Sequence, residues 1–204
     1  MLFRSREYCA QFTDGSDSYF SAKKMEECTL KDEFPHTLLK GTPGKKYIVG
    51  IDPNMSDSPN ADYFAIAVME LDDETGIGIL VHTYAGLGNL NNHVKYFAYI
   101  MSHFDVVMIV SDNAGSDIFF DTCNQSEIFK EFKINIKTLD FTSDQEGSEY
   151  DAQLRLAKSQ YNLSERRIAF SQVFTSNFIR KGNEYLQACI DYKKVLFASR
   201  TCSN

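Results

Sequence analysis

The sequence lacks tryptophan and contains no long apolar run. A membrane-spanning helix needs about 20 consecutive apolar residues, so no such helix is predicted. The first residues, Met1 to Arg6, also lack the apolar stretch of a secretory signal. We therefore expect a soluble intracellular protein without a membrane partner.

The sequence also has fewer basic than acidic residues. The 21 lysines and arginines face 28 aspartates and glutamates, and the resulting charge of −7 excludes a protein that coats nucleic acid through bulk charge. A local basic patch is compatible with this charge. Because tryptophan is absent and most phenylalanines fall in apolar periods, no aromatic platform for a single nucleic-acid strand is predicted.

Several motifs that would indicate other functions are missing. The five cysteines form no C-x-x-C pair and the four histidines form no H-E-x-x-H, which excludes a structural zinc site and favours a reducing compartment. The sequence also has no G-x-x-x-x-G-K-[ST], G-x-S-x-G or G-x-G-x-x-G pattern. These absences argue against ATPase, serine-hydrolase and dinucleotide-binding sites in this chain.

What the sequence does contain is enough apolar material for a core. A length of 204 residues, 43% of them hydrophobic, suits one globular domain with a peripheral arm. Residues 1–44 mix charge, aromatics and turn formers, and end in the breaker sequence Gly41-Thr42-Pro43-Gly44. We expect an N-terminal arm over 1–44 and a main domain over 45–204.

Hydrophobic periodicity in the main domain predicts a mixed α/β sheet. The first half is predicted to contain a three-stranded meander, one helix and a buried central strand, at Tyr47–Ile51, Tyr63–Met69, Ile77–Tyr84, Asn89–Phe104 and Val106–Val110. The second half alternates helices with strands, at Asp117–Phe132, Ile134–Leu139, Tyr150–Leu163, Ile168–Phe170, Asn177–Ile190 (interrupted at Gly182) and Val195–Ala198.

Two aspartates stand at matching places in this pattern. Asp52 ends the first apolar strand, and Asp112 ends the buried strand that begins at Val106. If these strands are parallel neighbours, their carboxyl ends line up about 4.8 Å apart. Two carboxylates that close need a cation, and a pair of Mg²⁺ or Mn²⁺ ions is a common device for cleaving phosphodiesters. The alternative is that each aspartate only starts a turn.

Contacts to DNA phosphates are predicted for two basic pairs. Lys45 and Lys46 begin the first strand, and Lys193 and Lys194 precede the last, so the four side chains could flank one rim of the sheet. The alternative for each pair is a solvated charged face.

The residues from Tyr47 to Pro53, the segment Asp62–Ile66, and Val107–Asp112 followed by Gly115 resemble the nuclease domain of viral terminase large subunits. The stretch from Phe3 to Phe20 is similar to the segment that links the packaging ATPase to that nuclease. This resemblance implies a ribonuclease H-like mixed sheet, with an antiparallel meander plus parallel strands, flanked by helices.

The resemblance also implies a function. It makes Asp52 and Asp112 metal ligands and Asp62 a supporting acidic residue of a metal-dependent endonuclease that uses two divalent ions, Mg²⁺ or Mn²⁺. The implied partners are double-stranded DNA, the packaging ATPase domain, the portal and the small terminase subunit. The implied location is the host cytoplasm during virion assembly, or the nucleus if the virus replicates there.

The sequence departs from the family in the third carboxylate, which follows the last strand in those proteins. Asp151 is predicted to face outward on its helix, and Asp191 precedes the last strand, so neither is a good substitute. We therefore expect one ion to bind weakly and cleavage to be slow or to need Mn²⁺. Two alternatives stay open: a catalytically weak or inactive docking module of the packaging motor, and another superfamily nuclease such as a junction resolvase or recombinase.

Overall fold

A computed structural model of the protein describes residues 20–29, 37–54, 62–72, 74–141 and 166–198. The predicted helix Tyr150–Leu163, the residue Asp151 and the linker-like stretch before Phe20 lie outside these residues. The described strands are β1 (Lys46–Asp52), β2 (Phe64–Asp72), β3 (Ile77–Gly86), β4 (Val106–Asp112), β5 (Asn135–Phe141), β6 (Arg166–Gln172) and β7 (Val195–Phe197). The described helices are α1 (Ala22–Glu27), α2 (Leu90–His103), α3 (Ser116–Gln125), α4 (Glu127–Glu131) and α5 (Ser176–Asp191).

The seven strands form one mixed sheet in the order β5-β6-β4-β1-β2-β3-β7. The pairs β1–β2 and β2–β3 are antiparallel, which makes the predicted meander. The pairs β1–β4, β4–β6, β5–β6 and β3–β7 are parallel. The mixed sheet predicted from the sequence is therefore confirmed, with β1 and β4 as central neighbours.

Alternating burial explains why the central strands form. On β1 the side chains of Tyr47, Val49 and Ile51 are buried, while the residues between them are only partly covered. The same face of the sheet receives α2 and α3, whose phenylalanines Phe97 and Phe119 are fully buried with ring centroids 5.5 Å apart. Removing this apolar surface from water drives the helices onto the sheet.

Two predicted helices differ in detail. The region predicted as one helix from Asp117 to Phe132 is two helices, because Ser126 adopts an extended conformation (ψ 144°) and its hydroxyl accepts a hydrogen bond from the N–H of Phe129 at 3.4 Å. A serine that satisfies a free N–H in this way starts a new helix. The predicted interruption at Gly182 is wrong, because α5 runs unbroken from Ser176 to Asp191.

The described part of the arm lies against the main domain. Cys28 is buried with Ile190 of α5 and Val195 of β7, and Thr29 forms a parallel bridge with Phe197. Farther along, the N–H of Leu38 donates to the carbonyl of Val81 at 2.8 Å. These contacts agree with an arm packed on the body, while the boundary at residue 44 stays a prediction. Within the described ranges, no helix is long and apolar enough to cross a membrane.

Candidate active site

The structure brings Asp52 and Asp112 together. β1 and β4 are hydrogen-bonded parallel neighbours, with Ile51 opposite Ser111, so the residue that follows in each strand is the predicted aspartate. Backbones of neighbouring strands lie about 4.8 Å apart, and the two carboxylates leave the sheet at the same end. We call this end, where β1, β4 and β6 finish and β2 begins, the site end of the sheet.

Asp62 approaches the same place from the other side of β1. It lies two residues before the start of β2, whose residue Ala65 pairs with Asp52. Partial burial of the Asp52 carboxyl group raises its pKa above the usual value, and the negative charges of Asp112 and then Asp62 raise the pKa further. All three predicted acidic residues therefore interact electrostatically at one place.

Like charges gathered in this way suit a cation with oxygen ligands. Carboxylate oxygens are the ligands that Mg²⁺ and Mn²⁺ prefer, so Asp52 and Asp112 fit a divalent ion. Among the residues that the structure describes, however, no group of three or more acidic, histidine or cysteine side chains is arranged to hold a metal ion. Asp191 forms an ion pair with Lys24 at 2.6 Å, so it does not supply the missing carboxylate.

A buried polar network supports the backbone around Asp112, and the sequence analysis did not identify it. The Asn113 side-chain N–H donates to the Ser171 hydroxyl at 2.8 Å, and the Ser116 and Ser171 hydroxyls lie 3.0 Å apart. Ser116 and Ser171 are fully buried. The network joins β4, the start of α3 and β6. No sequence signal could identify Ser171, because its proximity to Asn113 depends on the pairing of β6 with β4.

Asp112 also takes part in the turn that follows it, as the alternative interpretation anticipated. One carboxylate oxygen accepts a long hydrogen bond of 3.4 Å from the N–H of Ala114. The turn ends at Gly115, which has a positive φ of 85° and precedes α3. That hydrogen bond uses only one of the two carboxylate oxygens. The Asp112 side chain can therefore accept from Ala114 and bind an ion at the same time.

The four predicted DNA-contacting lysines are not near the carboxylates. Lys46 begins β1 at the end of the sheet opposite Asp52, about 20 Å away at the usual rise of a strand. Lys45 lies 3.6 Å from the Glu70 carboxylate at this opposite end. Lys194 donates to the carbonyl of Thr75 in the β2–β3 turn, and Lys193 lies 3.6 Å from Glu27. The two pairs do share one rim, but that rim cannot reach a phosphate held at Asp52 and Asp112.

His82, His93 and Cys123 are buried and have structural roles. The Nδ1 of His82 donates to the carbonyl of Leu38 at 2.7 Å, because a carbonyl can only accept, and Nε2 lies 2.8 Å from the Tyr96 hydroxyl. His93 is buried and stacks on Phe64 at 4.3 Å. Burial raises the pKa of the Cys123 thiol, which keeps it protonated and unreactive.

Comparisons with solved structures agree with this fold. The crystal structure of the large terminase nuclease from thermophilic phage G20c aligns with 90% of this chain and 76% of its own, with 15% identity and a TM-score of 0.52. The same nuclease with bound magnesium aligns with 91% of this chain and 76% of its own, with 12% identity and a TM-score of 0.50. The large terminase of bacteriophage HK97 aligns with 89% of this chain, 14% identity and a TM-score of 0.50, and this chain spans only 34% of its length.

No family model matches the sequence, and no curated protein matches it. At identities this low the structural likeness establishes the fold. The chain therefore has the ribonuclease H-like fold of terminase large-subunit nuclease domains, and the resemblance noted in the sequence is confirmed at that level.

Proposed function

We propose that this chain is the metal-dependent endonuclease domain of a DNA-packaging terminase, and that it hydrolyses phosphodiester bonds of double-stranded viral DNA. The observation that carries the proposal is the placement of Asp52 and Asp112 at the carboxyl ends of two adjacent parallel strands. The fold supports it, because the G20c nuclease with the same fold was crystallised with bound magnesium.

Each acidic residue has a distinct role in this proposal. Asp52 and Asp112 hold two divalent ions, Mg²⁺ or Mn²⁺, and Asp62 adds negative charge beside Asp52. When bound, the ions supply Lewis acidity that activates water and neutralises the charge of the leaving 3′ oxygen. Asn113 and Ser171 hold the Asp112 turn in place. Partial burial and the charges of Asp112 and Asp62 raise the pKa of Asp52, and a bound cation would offset this penalty on the charged form.

The described ligand set is one carboxylate short of a strong two-ion site. Asp52, Asp112 and Asp62 do not form a group of three ligands that could hold a metal ion, and no other acidic side chain in the described part of the chain completes one. We therefore propose that one ion binds more weakly than the other, and that cleavage is faster with Mn²⁺ than with Mg²⁺ because Mn²⁺ binds nitrogen and oxygen ligands more tightly than Mg²⁺ does.

The proposed function also implies partners and a location for this domain. Its partners are the packaging ATPase domain, the portal and the small terminase subunit, and DNA is its substrate. It acts in the host cytoplasm during virion assembly, or in the nucleus if the virus replicates there. The chain spans about a third of the HK97 large terminase, and within such a machine we assign only the cutting step to it.

Digestion of a supercoiled plasmid tests the proposal directly. The parent protein, Asp52→Asn and Asp112→Asn are incubated with Mn²⁺ or Mg²⁺, and nicked and linear products are quantified. Asp105→Asn is the matched control, because Asp105 is exposed and precedes β4 at the end of the sheet opposite the site. We expect cutting by the parent and the control and none by the two site variants. Equal cutting by all four proteins would exclude this site.

Calorimetric titration with Mn²⁺ provides a second readout that does not require cutting. The parent and Asp105→Asn are expected to bind the ion, and Asp52→Asn and Asp112→Asn to lose most of that binding. Two tight and equivalent Mg²⁺ sites in the parent would contradict the proposed weak ion.

A docking module of the same fold is the second candidate, and it is favoured by the absence of a three-ligand metal group from the described parts of the chain, which leave out residues 142–165 and 199–204. This candidate predicts a folded parent that neither binds Mn²⁺ nor cuts plasmid DNA. The same two assays therefore separate it from the endonuclease.

A further inference from the structure

Two exposed phenylalanines stack on each other close to the site end of the sheet. The rings of Phe174 and Phe178 have centroids 5.3 Å apart and planes 19° from parallel. Their exposed fractions are 45% and 36%, which is high for side chains that gain most from burial. The sequence analysis predicted no aromatic platform for a single nucleic-acid strand, and periodicity alone did not identify this pair. Phe174 immediately precedes Thr175, the N-cap residue of α5, and Phe178 lies in the first turn of that helix.

The Phe174–Phe178 pair is close to Asp112 because β6 pairs with β4. Gln172 is opposite Asp112 in the parallel ladder, and its carbonyl accepts a hydrogen bond from the N–H of Asn113 at 2.9 Å. Phe174 follows Gln172 by two residues. Its Cα atom is therefore at most about 12 Å from that of Asp112, given the reach of two residues and the spacing of strands.

Hydrogen bonds fix the connection between the strand and the pair. The carbonyl of Val173 accepts from the Gln172 side-chain amide at 3.0 Å and from the N–H of Thr175 at 2.9 Å. The Thr175 hydroxyl then accepts from the N–H of Phe178 at 3.1 Å, which caps α5. The backbone that carries the two rings is thus held in place relative to Asp112, and the rings contact each other. A contact made by an ordered pair costs less entropy than one made by a flexible loop.

We propose that the Phe174–Phe178 pair stacks on an unpaired nucleobase of the DNA strand close to the scissile phosphate. This inference rests on the proposed endonuclease function and specifies its substrate. At the duplex rise of 3.4 Å per base along one strand, a Cα separation of at most about 12 Å places Phe174 within about four base steps of Asp112. Aromatic side chains stack on any base, because every base presents a π-face. A base paired within the duplex is not accessible in this way, so the preferred substrate has a frayed or single-stranded stretch beside the cut.

Fluorescence anisotropy with a labelled single-stranded oligonucleotide tests the proposal without cleavage, in Ca²⁺ alone. Phe174→Ala/Phe178→Ala is expected to weaken binding by roughly 5- to 150-fold, the usual cost of losing one base–aromatic stack. Phe132→Ala is the matched control, because Phe132 is also 45% exposed but follows α4 at the opposite end of the sheet, before β5. It should bind like the parent.

Two further variants separate stacking from simple packing. Phe174→Leu/Phe178→Leu keeps apolar bulk but removes the π-faces, and should bind as weakly as the alanine variant. Phe174→Tyr/Phe178→Tyr keeps the π-faces and should bind like the parent. Thermal unfolding of each variant checks that the fold is retained. A 2-aminopurine base placed within four nucleotides of the cut should be quenched by the parent and not by the alanine variant.

Several results would overturn the proposal. One is equal single-strand affinity of the parent and the alanine variant. Another is a change of oligomeric state in the alanine variant with unchanged DNA affinity, which would show that the pair binds protein. Failure of the endonuclease proposal is a different outcome, because loss of plasmid cutting by the parent leaves the stacking measurement intact. Conversely, normal cutting with unchanged strand binding would remove only the stacking inference.

Discussion

Ser171→Ala removes the centre of the polar network behind Asp112. The Ser171 hydroxyl accepts from the Asn113 side chain at 2.8 Å and lies 3.0 Å from the Ser116 hydroxyl. Without it, Ser116 can still donate to the carbonyl of Asn113 at 3.3 Å, so its donor stays satisfied. The Asn113 amide loses its acceptor in a partly buried place. The substitution therefore removes one oxygen atom and leaves the Asn113 side-chain N–H without its acceptor.

The expected magnitude follows from this single unpaired donor. Leaving a buried donor unsatisfied costs about 1–3 kcal/mol, and partial access of water to Asn113 favours the lower half of that range. For a chain of this size, a loss of about 1–2 kcal/mol lowers the melting temperature by about 2–8 °C. Because Asn113 follows Asp112 directly, the ligand turn also loosens. Mn²⁺ affinity should fall by about tenfold or more, as is usual when a side chain that orients a ligand is removed.

Urea unfolding followed by circular dichroism measures the stability change, and calorimetric titration measures Mn²⁺ affinity. Ser102→Ala is the control, because Ser102 is exposed on α2 and its hydroxyl contacts only groups at the exposed end of that helix, the carbonyl of Tyr99 at 2.9 Å and Nδ1 of His103 at 2.8 Å. That substitution should change stability by less than about 0.5 kcal/mol. If Ser171→Ala were as stable as Ser102→Ala and bound Mn²⁺ like the parent, the network would not support the site.

Two further predictions concern the metal-free protein. The folded-state pKa of Asp52 is raised, so without metal the parent loses stability as pH rises from below the ordinary aspartate value of about 3.9 through the raised value. Asp52→Asn should therefore gain stability over the parent as pH increases, in EDTA, and an equal difference at pH 3 and pH 7 would contradict the raised pKa that burial and the neighbouring carboxylates give Asp52. Gly115→Ala should cost about 1–2 kcal/mol because alanine is strained at a φ of 85°, measured by thermal unfolding. Gly182→Ala, in the open middle of α5, should instead be neutral or stabilising, and equal effects of the two substitutions would refute the argument from backbone strain.

The local elements and the ends of the central strands were predictable from the sequence. Apolar runs that end at turn formers predicted β1 and β4. They also predicted that Asp52 and Asp112 lie at the ends of these strands. The break at Ser126 was not predicted, because no glycine or proline marks it in the sequence. The resemblance to terminase nucleases pointed to the same fold as the structure, through those strand ends.

The neighbours of the site were decided by tertiary structure alone. The pairing of β6 with β4 brings Ser171 to Asn113, and Phe174 to the vicinity of Asp112, across about 60 residues of chain. The direction of β1 places Lys46 at the end of the sheet opposite Asp52. A sequence pattern records how each residue alternates between core and solvent, and burial sets that pattern locally. It does not record which strands pair, because that choice depends on packing and hydrogen bonding between residues far apart in the chain.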